Sequence, residues 1–241
     1  MQLTHGHLLG GRLRYAQPRE GFRSGIEPVF LAASVLAKPG DRVLEGGTGA
    51  GAGLLCLAQR VENICGVGLE RDPQLAVLAG RNLRDNGYQE QIHVVSARME
   101  ALPLREAVHH AFANPPYHPE VATPSAIPAR NAAKRAHKGL IAAWTQALAT
   151  VLVEGGTLTL IITAAILPQC LDAFAAARCG SVTLFPLWPS PGRAAKLLLM
   201  RGVKGGQGPC RLLSGLVLHE SGGGFTAEAD AVLRQGVGLI F

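Results

Sequence analysis

An α/β fold built on an open, mostly parallel sheet is what this sequence predicts, and three observations predict it. Short apolar runs alternate with helix-like stretches from residue 28 to residue 177, the pattern of a doubly wound sheet. One of those runs, Arg42-Val43-Leu44-Glu45, passes into Gly46-Gly47-Thr48-Gly49-Ala50-Gly51, a turn that opens a helix. The last apolar runs, near 181–186 and 195–201, follow one another with no helix between them. Close succession of that kind calls for antiparallel pairing, and it is expected at one edge of the sheet.

The elements follow in order. Residues 1–25 are Gly- and Arg-rich and read as a short arm or hairpin. Pro28 to Leu36 reads as a helix, with Glu27 before its first turn and Pro39-Gly40 ending it. The strand at 42–45 and the helix Ala52 to Arg60 flank the glycine turn. Ile64 to Leu69 is a second strand, ending at Glu70. Asp72-Pro73 is a helix start with proline at the first helical position, and that helix runs to about Asn86. Ile92 to Ser96 and His110 to Ala113 are the third and fourth strands. Residues 118–137 read as a long polar loop, of a length often used as a lid. Lys138 to Leu152 is a helix, Gly155-Gly156 turns the chain into strand Thr157–Thr163, and Ala165 to Ala177 is helical. The tail, 212–241, offers a hairpin over Leu212–His219 with a Gly222-Gly223-Gly224 turn, then a final helix capped by Thr226. No internal repeat and no linker divides the chain, so 1–241 is expected to form a single domain.

Composition narrows the class of partner. Apolar residues make up 48% of the 241 residues and charged residues 17%, the balance of a globular chain. A net charge of +6 favours a polyanionic partner such as nucleic acid. The five cysteines are scattered without a C-x-x-C pair, which suits free thiols in a reducing cytoplasm and suggests neither a disulfide framework nor a zinc site. The histidines have no ligand-like spacing, so no metal is expected. No stretch is apolar for long enough to span a bilayer, and no leader is evident. The expectation is a cytoplasmic protein without a membrane partner.

The glycine turn is the first candidate site. Gly47, Gly49 and Gly51 let backbone approach a ligand closely, and Glu70 ends the next strand, where a carboxylate can accept both hydroxyls of a ribose. This fits a nucleoside-bearing cofactor. Gly47-x-Gly49-x-x-Ala52 also satisfies the loose dinucleotide pattern. Glu45 separates the two readings. A carboxylate at the start of the loop is unwelcome beside a pyrophosphate and welcome beside a positively charged ligand group.

The second candidate site is Asn114-Pro115-Pro116-Tyr117, at the carboxyl end of the fourth strand. Asn supplies a side-chain carbonyl, the prolines fix φ and leave local carbonyls free to accept, and Tyr offers a flat face. Glycine loop, acidic strand end and Asn-Pro-Pro-Tyr, in that order, resemble the class I S-adenosylmethionine-dependent methyltransferases that act on exocyclic amino groups. The closer resemblance is to the bacterial tRNA1(Val) (adenine-N6)-methyltransferases. It covers nearly the whole chain: Gly21 to Glu27 is similar to the segment before the family's glycine loop, and Pro186 to Ala195 and Leu216 to Glu220 look like its later blocks. The resemblance implies a Rossmann-like, seven-stranded sheet with an antiparallel edge strand, and S-adenosylmethionine as cofactor. It places Glu45, Gly47, Gly49, Gly51 and Glu70 on donor-binding positions, and Asn114, Pro115 and Tyr117 on the catalytic motif.

The implied chemistry is methyl transfer to an adenine N6 in tRNA. That nitrogen is a poor nucleophile because its lone pair is spread into the ring. Acceptance of its two N–H groups by Asn114 Oδ1 and the Pro115 carbonyl favours a pyramidal nitrogen, where positive charge develops. Tyr117 is expected to stack on the base, which must be turned outward to reach such a pocket. Arg130, Lys134, Arg135 and Lys138 follow the motif and are the candidate phosphate contacts. A second basic set lies at Arg12, Arg14, Arg19 and Arg23, and Pro189 to Arg193 is either a substrate-side loop or a turn. Trp144 and Trp188 read as core. The sequence departs from the family at Arg98, where an acidic residue is usual. Two alternatives share these residues. Protein glutamine N5-methyltransferases use the same tetrapeptide but usually carry a helical domain before the glycine loop, for which there is little room here. A non-catalytic RNA-binding protein on the same scaffold is the other, and Arg98 is the residue that favours it.

Overall fold

The computed structural model describes residues 1–20, 23–99, 105–116 and 127–241, with 127–138 described by their backbone. The sequence-predicted Tyr117, the segment 118–126 and Gly21-Phe22 lie outside the described residues.

The chain opens with an antiparallel hairpin, β1 (Leu3–Leu8) on β2 (Leu13–Pro18). Helix α1 (Glu27–Ser34) leads to β3 (Arg42–Gly46), α2 (Ala52–Arg60), β4 (Cys65–Glu70), α3 (Pro73–Asp85) and β5 (Ile92–Ser96). Strand β6 (Val108–Ala113) precedes the longest helix, α4 (Ile127–Val151). Then come β7 (Leu152–Thr163), α5 (Leu167–Ala176), β8 (Cys179–Trp188) and β9 (Leu197–Lys204). Two short strands, β10 (Arg211–Leu212) and β11 (Leu216–Val217), precede α6 (Ala227–Asp230).

Among the described residues one sheet runs in the order β10-β8-β9-β7-β6-β3-β4-β5, with β11 also on β8. Only β9 runs against its neighbours, antiparallel to both β7 and β8. The expected mostly parallel α/β sheet is therefore present, and its reversed strand, β9, lies toward one side, inside β8 and the two-residue strands β10 and β11 that flank β8. Strand β8 is reached by way of helix α5, and β9 then returns in the gap between β7 and β8.

Alternation along the strands builds a core on each face. Val43, Phe112 and Ile161 point to the face covered by α1, α2 and α3, where they join Phe30, Leu54 and Leu83. Leu44, Ala111, Ala113, Leu160 and Ile162 point to the other, with Leu148 of α4 and Phe174 of α5. Full burial of a Leu or Phe side chain contributes about 1.5–3 kcal/mol, so both faces hold the sheet.

One expectation is corrected here. Residues 118–137 do not continue as loop up to Lys138, because α4 begins at Ile127. The stretch Ala129 to Ala136 is rich in Ala, Arg and Lys, the better helix formers, and Pro128 falls in the first turn, where its missing N–H costs nothing. The tail also differs in detail. Leu216–Val217 pairs with Leu187–Trp188 in parallel rather than across a hairpin, and the glycine turn closes a single bridge between His219 and Phe225. Thr226 does cap the final helix, its Oγ1 accepting from Ala229 N at 3.2 Å.

Candidate functional site

Register brings the candidate residues together. Gly46 is paired with Leu69 of β4 on one side and with Ala113 of β6 on the other. The next residue along each strand is Gly47, Glu70 and Asn114 respectively. Strand β3 feeds β4 on one side, while its other neighbour, β6, is reached only after β5. This is the topological switch point, where open α/β sheets leave a crevice at their carboxyl ends. A cavity of about 780 Å³ lies there, lined by Glu45, Gly47, Gly49, Glu70, Asn114 and Pro115, among others.

The loop is built around two buried carboxylates. Gly47 turns with φ +66°, and a Cβ there would fall 2.7 Å from the Trp144 ring. Glu45 is 4% exposed, and its Oε2 accepts from Thr48 Oγ1 at 2.5 Å and from Leu54 N at 3.2 Å. Leu54 N is one of the free amides of the first turn of α2, whose N-cap, Gly51, has no side chain to supply. Glu45 thus caps α2 from the neighbouring strand. It can come this close because residue 53 is glycine: a Cβ there would lie 2.0 Å from Glu45 Oε1. Burial pushes the Glu45 carboxyl up to about 7, against the hydrogen bonds from Thr48 and Leu54 that favour its ionised form, and Glu70 nearby adds to the rise. Glu70 ends β4 with Oε2 accepting from Gly49 N and Oε1 from Asp72 N, each at 2.9 Å. Asp72 in turn caps α3, Oδ1 accepting from Gln74 N at 2.8 Å, with Pro73 at the first position as the sequence predicts.

Asn114 projects from the end of β6. Its Oδ1 is buried and has no hydrogen-bond partner among the described residues, a costly state for an amide carbonyl, about 1–3 kcal/mol, unless a ligand completes it. Pro115 is buried beside it and Pro116 is exposed.

Other predicted residues fall differently. Gly51 does not line the cavity; it starts α2 with φ +88°, and a Cβ there would meet Ala79 Cβ of α3 at 3.3 Å. Arg130, Lys134, Arg135 and Lys138 all lie within α4, but their side chains are outside the described residues, as is the whole of Tyr117. Arg98 is exposed and lines the cavity just past β5.

Several wall residues escaped the sequence reading. The β1–β2 hairpin closes one side through Tyr15 and Gln17, with Tyr15 Oη 2.8 Å from Ser24 Oγ and Gln17 Oε1 accepting from Ser24 N at 3.0 Å. Burial pushes the Tyr15 hydroxyl up to about 12. Asn82 of α3 fixes the hairpin by exchanging bonds with both backbone groups of Ala16. Trp144, expected in the core, is a half-buried wall of the cavity. The histidine neighbours lie at the opposite end of the sheet. His110 is buried between Thr157 Oγ1 at 2.8 Å and Asp41 Oδ2 at 3.1 Å. Among the described residues no group of three or more His, Cys, Asp or Glu side chains is arranged to hold a metal ion, and no helix is long and apolar enough to cross a membrane.

Comparison with known proteins gives the following. Residues 28–100 match the family described as protein-L-isoaspartate(D-aspartate) O-methyltransferase. A tRNA1(Val) (adenine(37)-N6)-methyltransferase of Flavobacteriaceae bacterium (strain 3519-10) is 26% identical over 134 residues, which are 56% of this chain and 58% of that protein. The match therefore spans little more than half of that relative. The crystal structure of a predicted O-methyltransferase from Agrobacterium tumefaciens superimposes with a TM-score of 0.75 at 25% identity, over 89% of this chain and 98% of that one. A SAM-dependent O-methyltransferase from Thermotoga maritima gives 0.56 at 18% identity, over 79% of this chain and 69% of that one.

Proposed function

We propose that this chain, a class I S-adenosylmethionine-dependent methyltransferase by its fold and its neighbours, methylates the exocyclic N6 amino group of an adenine in tRNA. The observation that carries the proposal is Asn114 Oδ1, buried and without a partner among the described residues, on a residue that lines the same crevice as Glu70. An acceptor left open in this way asks for an N–H donor. An exocyclic amine supplies two. A carboxylate or an ionised hydroxyl, the acceptors of O-methyl transfer, supplies none and would face Asn114 Oδ1 lone pair to lone pair.

The residues present fit the cofactor. Gly47 and Gly49 line the crevice without side chains, so a ligand can approach the turn closely, and the Glu70 carboxylate stands at a strand end, where it accepts ribose hydroxyls. Glu45 supplies negative charge for a cationic ligand group. S-adenosylmethionine, when bound, supplies a methyl group activated on sulfur. The chain's part is then to hold the amino nitrogen in place, its two N–H groups donating to Asn114 Oδ1 and the Pro115 carbonyl. Trp144 and the hairpin residues Tyr15 and Gln17 wall the crevice.

Two measurements test this. Purified protein, S-adenosylmethionine and total tRNA are incubated, and the digested nucleosides are weighed by mass spectrometry. N6-methyladenosine is the expected product. Methylation of protein glutamine or of an isoaspartyl peptide, with no RNA product, would replace this reading. For the cofactor, Glu70→Ala is expected to weaken S-adenosylhomocysteine binding in calorimetry by about 1–3 kcal/mol, the cost of leaving buried polar groups unpaired. Unchanged affinity would remove Glu70 from the site.

A further inference from the structure

A second concavity lies beside the crevice, at the Pro189 to Arg193 segment that the sequence reads as either a substrate-side loop or a turn. It measures about 460 Å³ and is lined by Trp188, Ser190, Arg193 and Val217 with the turn between them, and by no carboxylate. Its place is set by the sheet. Trp188 ends β8, and the turn 189–196 joins it to Leu197, the start of β9. Leu197 pairs with Thr163 of β7, and both line the large cavity. The two hollows are therefore neighbours along the carboxyl end of the sheet.

Its walls are fixed in advance. The Trp188 indole N–H donates to Ser214 O at 2.8 Å. Gly215 makes room for that ring, since a Cβ there would sit 2.9 Å from Trp188 Nε1. His219 Nδ1 lies 2.9 Å from Pro189 O, and its ring stacks on Phe225 with centroids 4.7 Å apart, which ties the tail to the start of the turn. Arg193 N donates to Ser190 O at 3.2 Å, and Gly192 takes φ +71°. Arg193 is exposed on this turn. Trp188 has its only hydrogen-bonding group engaged, so the ring has a flat face to offer and no donor to spend on reading a base.

We propose that this concavity is a subsite for a nucleotide flanking the methylated one, with its base on Trp188 and its phosphate on Arg193. The inference rests on the RNA reading above. An aromatic face beside a guanidinium is the combination that holds single-stranded nucleic acid, and stacking is blind to base identity. The subsite therefore holds the strand and leaves its sequence unread.

The test is tRNA affinity against salt for the full chain and three variants, with S-adenosylhomocysteine binding measured in parallel. Trp188→Ala is expected to weaken tRNA binding about tenfold, and Trp188→Phe, which keeps a stacking face, to weaken it much less. Arg193→Ala is expected to flatten the slope of log K against log salt by about 0.7–0.9, the counterion share of one phosphate. S-adenosylhomocysteine affinity stays constant in all three. If Trp188→Ala also loses that ligand, its fold has failed, and Trp188→Phe and Arg193→Ala decide. Wild-type protein that methylates tRNA while Arg193→Ala and Trp188→Ala bind it normally overturns the subsite and leaves the N6 reading standing. Wild-type protein that methylates no RNA overturns both.

Discussion

Asn114→Ala is expected to lower the rate of methyl transfer by about 10²–10³-fold, the usual cost of removing one preorganised hydrogen-bonding group aimed at developing charge, while S-adenosylhomocysteine binds as before. The separation follows from the geometry. Asn114 Oδ1 has no partner among the described residues, so among them its removal leaves no donor unpaired. Glu70 and the glycine loop, on the neighbouring strand ends, are untouched. The loss should appear in kcat and not in donor affinity, because the bond is made to the acceptor nitrogen and gains strength as that nitrogen becomes positive. Single-turnover kinetics with saturating tRNA measure it. Turnover within tenfold of wild type would show that the amide does not meet the reacting nitrogen.

How much of this was legible in the sequence depends on the range of the interaction. Asp72-Pro73 as a helix start, Thr226 as a cap and the hairpin at the amino end rest on local chemistry, and each stands where the sequence puts it. The crevice was legible for a related reason. Gly47, Glu70 and Asn114 each follow directly on a strand, and strands of one parallel sheet end on one side. The misreadings involve competition between distant parts. The polar, proline-bearing stretch after Asn114 has the composition of a loop, yet its alanines, arginines and lysines are good helix formers and α4 begins at Ile127. Trp144 looked like core by composition, but Gly47 opens a space beneath it that no periodicity records. Tyr15 and Gln17 line the cavity on a hairpin whose Ala16 backbone is held by Asn82, far along the chain. The place of the reversed strand depends on whether β9 joins β7 or the outer side of β8, and the sequence pattern of β9 is the same in both.

Glu45 carries the other large effect, and its sign is fixed by its burial. Desolvation raises its carboxyl from an ordinary 4.5 to about 7. The folded state therefore holds this proton more tightly than the unfolded chain does. A group with a raised folded value contributes stability that is fully present below its unfolded value and is lost as pH rises through its folded value. Between about pH 4.5 and just above 7 the ligand-free protein should lose on the order of 3 kcal/mol from this residue, at about 1.4 kcal/mol for each tenfold difference in proton affinity between the folded and unfolded chain. Glu45→Gln removes the loss, so the variant should melt higher than wild type at pH 8 and gain little at pH 5. Asp41 and His110 act in the opposite direction. Burial disfavours the charge on each, the Lys38 amide and the histidines still bring Asp41 below its ordinary value, and His110 falls below its own. Both lose stability as pH falls, but they are common to the two proteins and cancel in the difference. Cofactor binding should show the mirror image. A cationic ligand group favours the ionised carboxylate, so S-adenosylmethionine affinity should rise from pH 6 to pH 8 with release of a proton, and Glu45→Gln should bind more weakly with a flat profile. Calorimetry in two buffers of different ionisation heat reads the proton directly. Wild-type binding that releases none at pH 6.5 would mean that Glu45 serves the first turn of α2 alone and never faces the cofactor's charge.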